Sequence, residues 1–162
     1  MFSCAALFAA IILAPSAHAQ FHITSNTTTS STQSLPGSTT GTVDAGKTLT
    51  TTGSAAGVTM SGGTAGLPTT LTNNGTIQQT GTGRAVQQLT GSTNAVLVIQ
   101  NNSVATISTS NNDTIAAGTG SGTTVTSVSL TNAGTIQSAA GGQASVRAGM
   151  TSVSNNSRLS VE

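Results

Sequence analysis

The chain has no tryptophan, no tyrosine and a single cysteine, and charged residues fill only 4% of its 162 positions. Each shortage excludes something. Sites that stack sugars or single-stranded nucleic acid lean on aromatic platforms, and only three Phe are present. A net charge of +1 gives a polyanion nothing to condense on, so no nucleic-acid partner is expected. So few aromatic rings would leave a conventional compact core thin. Disorder usually joins low hydrophobicity to high net charge, and neither is strong here, with 35% hydrophobic residues. What remains is an architecture that works with small residues and many backbone hydrogen bonds.

The N-terminus is a processing segment and must be set aside before fold reasoning. Ala5 to Ala14 is an apolar run, broken by Pro15 and Ser16 and followed by Ala17-His18-Ala19, a small-x-small cleavage site. Residues 1–19 are therefore expected to be a signal peptide cut between Ala19 and Gln20. The run falls short of the roughly 20 apolar residues that cross a bilayer. No Lys or Arg precedes it, a departure that a start codon placed too late would explain. Cys4 stands before the apolar run, not after it as in a lipoprotein, and is expected to be discarded with the segment. The mature chain would then have no disulfide and no thiolate metal site. It would be exported, to the cell surface or beyond, or to the periplasm if no outer-membrane exporter accompanies it.

Thr and Ser make up roughly a third of the chain, with Gly and Asn next. Residues 20–41 form a Thr/Ser tract ending in Leu35-Pro36-Gly37, without periodicity, and read as a disordered leader. From residue 42 to 162, short apolar segments alternate with Gly and Asn clusters. Thr and Val favour strands, while Gly and Asn mark turns. Val128-Ser129-Leu130-Thr131 alternates as a half-buried strand does, and Ala95 to Ile99 is an apolar run of strand length. The chain also repeats itself. Leu71-Thr72-Asn73-Asn74-Gly75-Thr76-Ile77-Gln78 returns as Leu130-Thr131-Asn132-Ala133-Gly134-Thr135-Ile136-Gln137, and only Asn74 and Ala133 differ. Gly83-Arg84-Ala85-Val86 is echoed by Gly142-Gln143-Ala144-Ser145-Val146. Asn111 to Ile115, Val153 to Leu159 and Asn94 to Val98 read as weaker copies. The leading asparagines are then 73, 94, 111, 132 and 155, which implies a stacked array with a repeat of about 20 residues.

Such a stack suits this composition. Successive turns pair along their backbones about 4.8 Å apart, and inward positions need only small or branched apolar residues. Leu71, Ile77, Ile115, Leu130, Ile136 and Leu159 are the expected repeat core. Asn and Gly serve the corners, where asparagine side chains can bond to one another up the stack. The fold class expected is all-β, a right-handed parallel β-helix (a β-solenoid) behind a disordered N-terminal leader.

The string Leu-Thr-Asn-x-Gly-Thr-Ile-Gln, with its Gly-rich turn and Ala-Val, resembles the repeats of autotransporter passenger domains of Gram-negative bacteria. Val43-Asp44-Ala45-Gly46-Lys47-Thr48-Leu49 and Ala56-Gly57-Val58 resemble them too, so the likeness spans roughly 42–162. The resemblance implies a passenger exported through a C-terminal outer-membrane β-barrel, then displayed or released, with a host or neighbouring-cell surface as its partner. The chain departs from that pattern in having no barrel strands, and in ending at Leu159-Ser160-Val161-Glu162 inside a repeat without a polar cap. A truncated gene, a fragment or a degenerate copy missing its translocator barrel is the expectation.

Catalysis needs titratable groups held close together. The mature chain supplies Asp44, Asp113, Glu162 and His22, with Lys47, Arg84, Arg147 and Arg158. Asp44 and Asp113 could form a glycosidase-like pair, but each stands at an Asn-like corner position where Asp caps a turn. His22 lies in the leader with no carboxylate near it in sequence. Ser is abundant, but a nucleophilic Ser needs a base. Gly118-Thr119-Gly120-Ser121-Gly122 has no following Lys and reads as a surface turn, not a phosphate loop. No catalytic, cofactor-binding or metal residue and no small-molecule substrate is expected. The sequence thus reads as a non-catalytic structural or adhesin-like passenger segment. The rival is a disordered, glycosylated Ser/Thr-rich surface stalk, with Asn-x-Ser/Thr acceptors at Asn26, Asn74, Asn101, Asn112 and Asn155; a solenoid enzyme ranks third.

Overall fold

The computed structural model describes residues 18–119, 122–139, 143–148, 152–155 and 159–160. The signal segment up to Ala17, with Cys4, lies outside them, as do Arg158 and Glu162. Every regular element among the described residues is a strand. The first turn of chain is β1 (His18–Ile23), β2 (Thr27–Thr29) and β3 (Gln33–Leu35). The second is β4 (Thr39–Val43), β5 (Thr48–Thr51) and β6 (Val58–Met60), and the third β7 (Thr69–Asn73), β8 (Thr76–Gln79) and β9 (Val86–Gln88). The fourth is β10 (Ala95–Asn101), β11 (Thr106–Thr109) and β12 (Ile115–Ala117), and the fifth β13 (Val125–Asn132), β14 (Thr135–Ser138) and β15 (Val146–Ala148). β16 (Ser152–Asn155) and β17 (Leu159–Ser160) open a sixth. Each strand pairs in parallel with its equivalents in the turns before and after, giving sheets of six, six and five strands. The protein is a three-sided parallel β-solenoid.

The stacking follows from strand geometry. Side chains alternate faces along a strand, so a fixed register puts like residues above one another. Leu71, Ile99 and Leu130 make one inward row, and Leu49, Ile77, Ile107 and Ile136 a second. Val58, Val86 and Ile115 make a third on the remaining side. All ten of these residues are buried to 1% exposure or less. β-Branched and Leu side chains fill these three rows, which is how the fold manages with so few aromatic residues. Leu159 pairs through its backbone with Ile136.

The structure corrects the repeat length. Asn73, Asn101 and Asn132 occupy equivalent places, 28 and 31 residues apart, at the inward ends of β7, β10 and β13. Asn94 stands instead just before β10, in the left-handed region at φ 53°. Asn111 lies in the corner between β11 and β12, and Ile115 pairs with Val86 and Val146, not with Ile77 or Ile136. A turn here needs three strands and three corners, and asparagine serves more than one kind of corner. Counting every asparagine as the same corner shortened the apparent period to about 20.

The three aligned asparagines form a buried ladder. Asn73 Nδ2 donates to Asn101 Oδ1 at 2.8 Å, and Asn101 Nδ2 to Asn132 Oδ1 at 2.7 Å. The same nitrogens also reach backbone carbonyls in the second sheet of the next turn, Thr106 and Thr135, each at 3.0 Å. The oxygens of Asn73 and Asn132 accept from the amides of Gly75 and Gly134, each at 3.3 Å. Glycine is required at those two positions by close approach. A Cβ on Gly134 would lie 2.1 Å from the carbonyl oxygen of Ala105, and one on Gly75 2.2 Å from that of Lys47. The Asn-x-Gly-Thr string is therefore one corner, written by an amide ladder and by the contact of one turn on the next.

Residues 20–41, expected as a disordered leader, form the first turn and the start of the second. The tract carries few apolar residues, but Ile23 and Leu35 are buried and Phe21 packs against the core cluster. Phe21 stands in register with Gly41, where the other turns place Leu71, Ile99 and Leu130. A Cβ on Gly41 would meet the Phe21 ring at 2.5 Å, so ring and glycine fill one inward place together. Thr27–Thr29 needs no apolar period of its own, because β2 is held to β5 by backbone bonds. Sequence periodicity cannot see such pairing.

Replacing Ile136 by Asp sets an unpaired charge in a fully buried row and should cost several kcal/mol, on the order of 3 or more. Thr135→Ser, on the outward side of the same strand, should change stability by less than about 0.5 kcal/mol. Thermal melts of the two variants beside the parent check this, and equal melting temperatures for Ile136→Asp and parent would contradict the inward placement.

Candidate functional site

Two of the three outward faces are chemically uniform. No strand of the first or second sheet contains Asp, Glu, Lys or Arg. In the first sheet, register aligns Thr42, Thr72, Gln100 and Thr131 in one outward row, and Thr40, Thr70, Val98 and Ser129 in another. In the second sheet, Thr48, Thr76, Thr106 and Thr135 form an unbroken threonine row beside Thr50, Gln78, Ser108 and Gln137. Neighbouring members bond along the stack: Gln78 Nε2 donates to Thr50 Oγ1 at 2.8 Å, and Thr72 Oγ1 to Gln100 Oε1 at 3.3 Å. Each row thus presents hydroxyl and amide groups at a constant interval of about 4.8 Å, without charge.

Charge gathers instead at the corners and on the third sheet. Asp113, in the corner before β12, is 1% exposed. Its carboxylate accepts from Arg147 in the next turn, Nε at 3.0 Å and Nη2 at 3.1 Å, and from the Ala144 amide at 3.0 Å. Arg84, one turn earlier, approaches it only to 3.6 Å. The bidentate contact assigns Asp113 to Arg147, and the carboxylate ties three successive turns together. This cluster was missed in the sequence although its signal was present. Arg84 and Asp113 each stand two residues before a paired strand residue, Val86 and Ile115, so the third-sheet corner carries opposite charges in adjacent turns.

The residues singled out for chemistry fall apart in space. Asp44 belongs to the corner after β4 and Asp113 to a different corner two turns on, Asp44 beside His22 and Asp113 beside Arg147. His22, expected alone in a leader, stands in β1, and its Nε2 lies 2.7 Å from Asp44 Oδ1 on an exposed edge. Ala19 and Gln20 are exposed residues of β1, so cleavage between them would trim two residues from that strand and leave Phe21 in place. Gly120 and Ser121 of the glycine-rich run lie outside the described residues. Among the described residues, no group of three His, Cys, Asp or Glu comes close enough to hold a metal ion. No family of known proteins, no curated protein and no solved structure matches the chain.

Asp113→Ala removes a buried carboxylate that accepts three hydrogen bonds, and should lower stability by about 2 kcal/mol, discounted because the Arg147 side chain is half exposed. Asp44→Ala, whose pair with His22 is in solvent, should stay within about 0.5 kcal/mol. Urea unfolding midpoints separate the two, and an unchanged midpoint for Asp113→Ala would mean that the three-turn tie does not hold the stack.

Proposed function

We propose that the chain is a non-catalytic, adhesin-like structural segment of the autotransporter-passenger kind, exported and displayed at or released from a cell surface. The observation that carries this reading is the pair of uncharged outward faces on the first and second sheets. A hydroxyl or amide group contributes little alone in water, because it exchanges one hydrogen bond for another. Rows of them at a fixed spacing act together, so a repetitive partner gains from many weak contacts. The partner that suits them is equally neutral and equally repetitive, such as the polyhydroxylated coat of a host or neighbouring cell. The signal-like N-terminus and the repeat strings support export by the same route as the passengers they resemble. The reading makes the protein non-enzymatic, with no cofactor, no nucleic acid and no small-molecule substrate. The paired strands speak against the rival reading of a disordered stalk.

The test places charge on the rows without touching the interior. The purified chain is applied to intact cells and to beads coated with neutral polysaccharide, beside a variant with Thr76→Glu, Thr106→Glu and Thr135→Glu. The parent should be retained, and the variant should lose at least about tenfold in retention, with unchanged circular dichroism. Retention of neither protein on any surface, or equal retention of both, would overturn the adhesive role of these faces.

A further inference from the structure

The third sheet differs from the other two. Its outward row runs Ser34, Thr59, Gln87, Ala116 and Arg147. Ala116 is a gap between two long side chains, and Arg147 is drawn off to Asp113. The gap is the floor of a cavity of about 60 Å³ lined by Arg84, Gln87, Gln88, Thr90, Gly118 and Thr119. Among the described residues, no carboxylate lines it.

Arg84 is short of partners. A guanidinium has five N–H donors. Here one nitrogen reaches Gln87 Oε1 at 3.4 Å, another stands 3.6 Å from Asp113, and Nε is buried with no partner. Gln87 spends its oxygen on that contact, and among the described residues no group accepts from its nitrogen. Gln88, by contrast, is saturated, donating to the carbonyls of Ser92 and Thr124 and accepting from the Gly118 amide, which makes it a rigid wall. Thr90 and Thr119 add exposed hydroxyls at the mouth.

We propose that this cavity is a binding site for a single carboxylate, such as that of an acidic sugar or of a peptide side chain, held by Arg84 with Gln87 as second donor. Two observations set the class. The cavity is small, about 60 Å³, and its lining is mostly polar, so it suits a compact anionic headgroup. The charge nearby sums to one surplus cation, because Asp113 is already matched by Arg147. A planar monoanion meets the guanidinium in a bidentate contact, whereas a dianion would be repelled by the carboxylate of Asp113 behind it. The site stands on its own geometry and does not depend on the adhesive reading.

The test is a two-dimensional amide NMR titration of the full chain at constant ionic strength, with acetate, glucuronate, glucose and inorganic phosphate as probes. Acetate and glucuronate should each shift the amides of Gln87, Ala116 and Gly118 with a Kd on the order of 1 mM, about what one exposed guanidinium supports. Glucose should shift none of them, and phosphate at pH 8, mostly dianionic, should bind more weakly than acetate. Arg84→Gln should weaken acetate binding by about tenfold or more. Ala116→Leu fills the gap from the outward side and should block binding while keeping Arg84, so either variant can decide if the other fails to fold. Acetate binding unchanged in a folded Arg84→Gln or Ala116→Leu protein, shifts by glucose equal to those by glucuronate, or tighter binding of phosphate than of acetate would each overturn the proposal.

Discussion

The side chain of Asn101 is wholly buried, and what it bonds is its own kind: Asn73 in the turn before and Asn132 in the turn after. A carboxamide in such a place is tolerated only when its donors and acceptor are matched. Here they are matched because the chain returns to the same register every turn. The rest of the architecture depends on that constraint. Identical register lines up Leu71, Ile99 and Leu130, brings the Ala105 carbonyl against Gly134, and lets every strand lend its backbone to the next. A slip of one residue would turn Asn101 outward and Gln100 inward, and would leave the neighbouring amides without partners. Register fixed by polar groups is how the fold stays unique with so few large apolar residues.

The fold class was legible because the Asn-x-Gly-Thr-Ile corner was written twice in nearly the same letters, at 73–77 and 132–136. Its third copy, Asn101-Asn102-Ser103-Val104-Ala105-Thr106-Ile107, was not, since two extra residues replace the glycine step and hide the match. Register in space restores it, pairing Thr106 with Thr76 and Thr135. The first turn was illegible for a different reason. Its strands are held mostly by backbone bonds to the second turn, and the inward place of Gly41 is filled by a ring from another strand. No periodicity within residues 20–41 could reveal either.

The charged residues were read as isolated, and along the chain they are. The solenoid folds positions about 30 apart onto one edge, so Arg84, Asp113 and Arg147 meet across three turns. Asp44 and Asp113, weighed as a pair and read instead as separate corner residues, do sit in corners of different kind. Concentrating charge at corners and on the third sheet leaves the strands of two sheets neutral. The separation gives the molecule two surfaces of different chemistry: broad uncharged rows suited to repetitive contact, and one corner with a surplus guanidinium suited to a single anion.

Side-chain amide exchange tests the stack most directly. The Nδ2 hydrogens of Asn101 are bonded within the ladder and closed off from water, and should exchange many-fold more slowly than those of Asn111, whose side chain is on the surface. Protection of Asn101 together with rapid exchange at Asn111 is the result this account predicts. Equal, rapid exchange at both, in a chain with strand-type circular dichroism, would show that the turns do not stack in the register described and would contradict the account at its root.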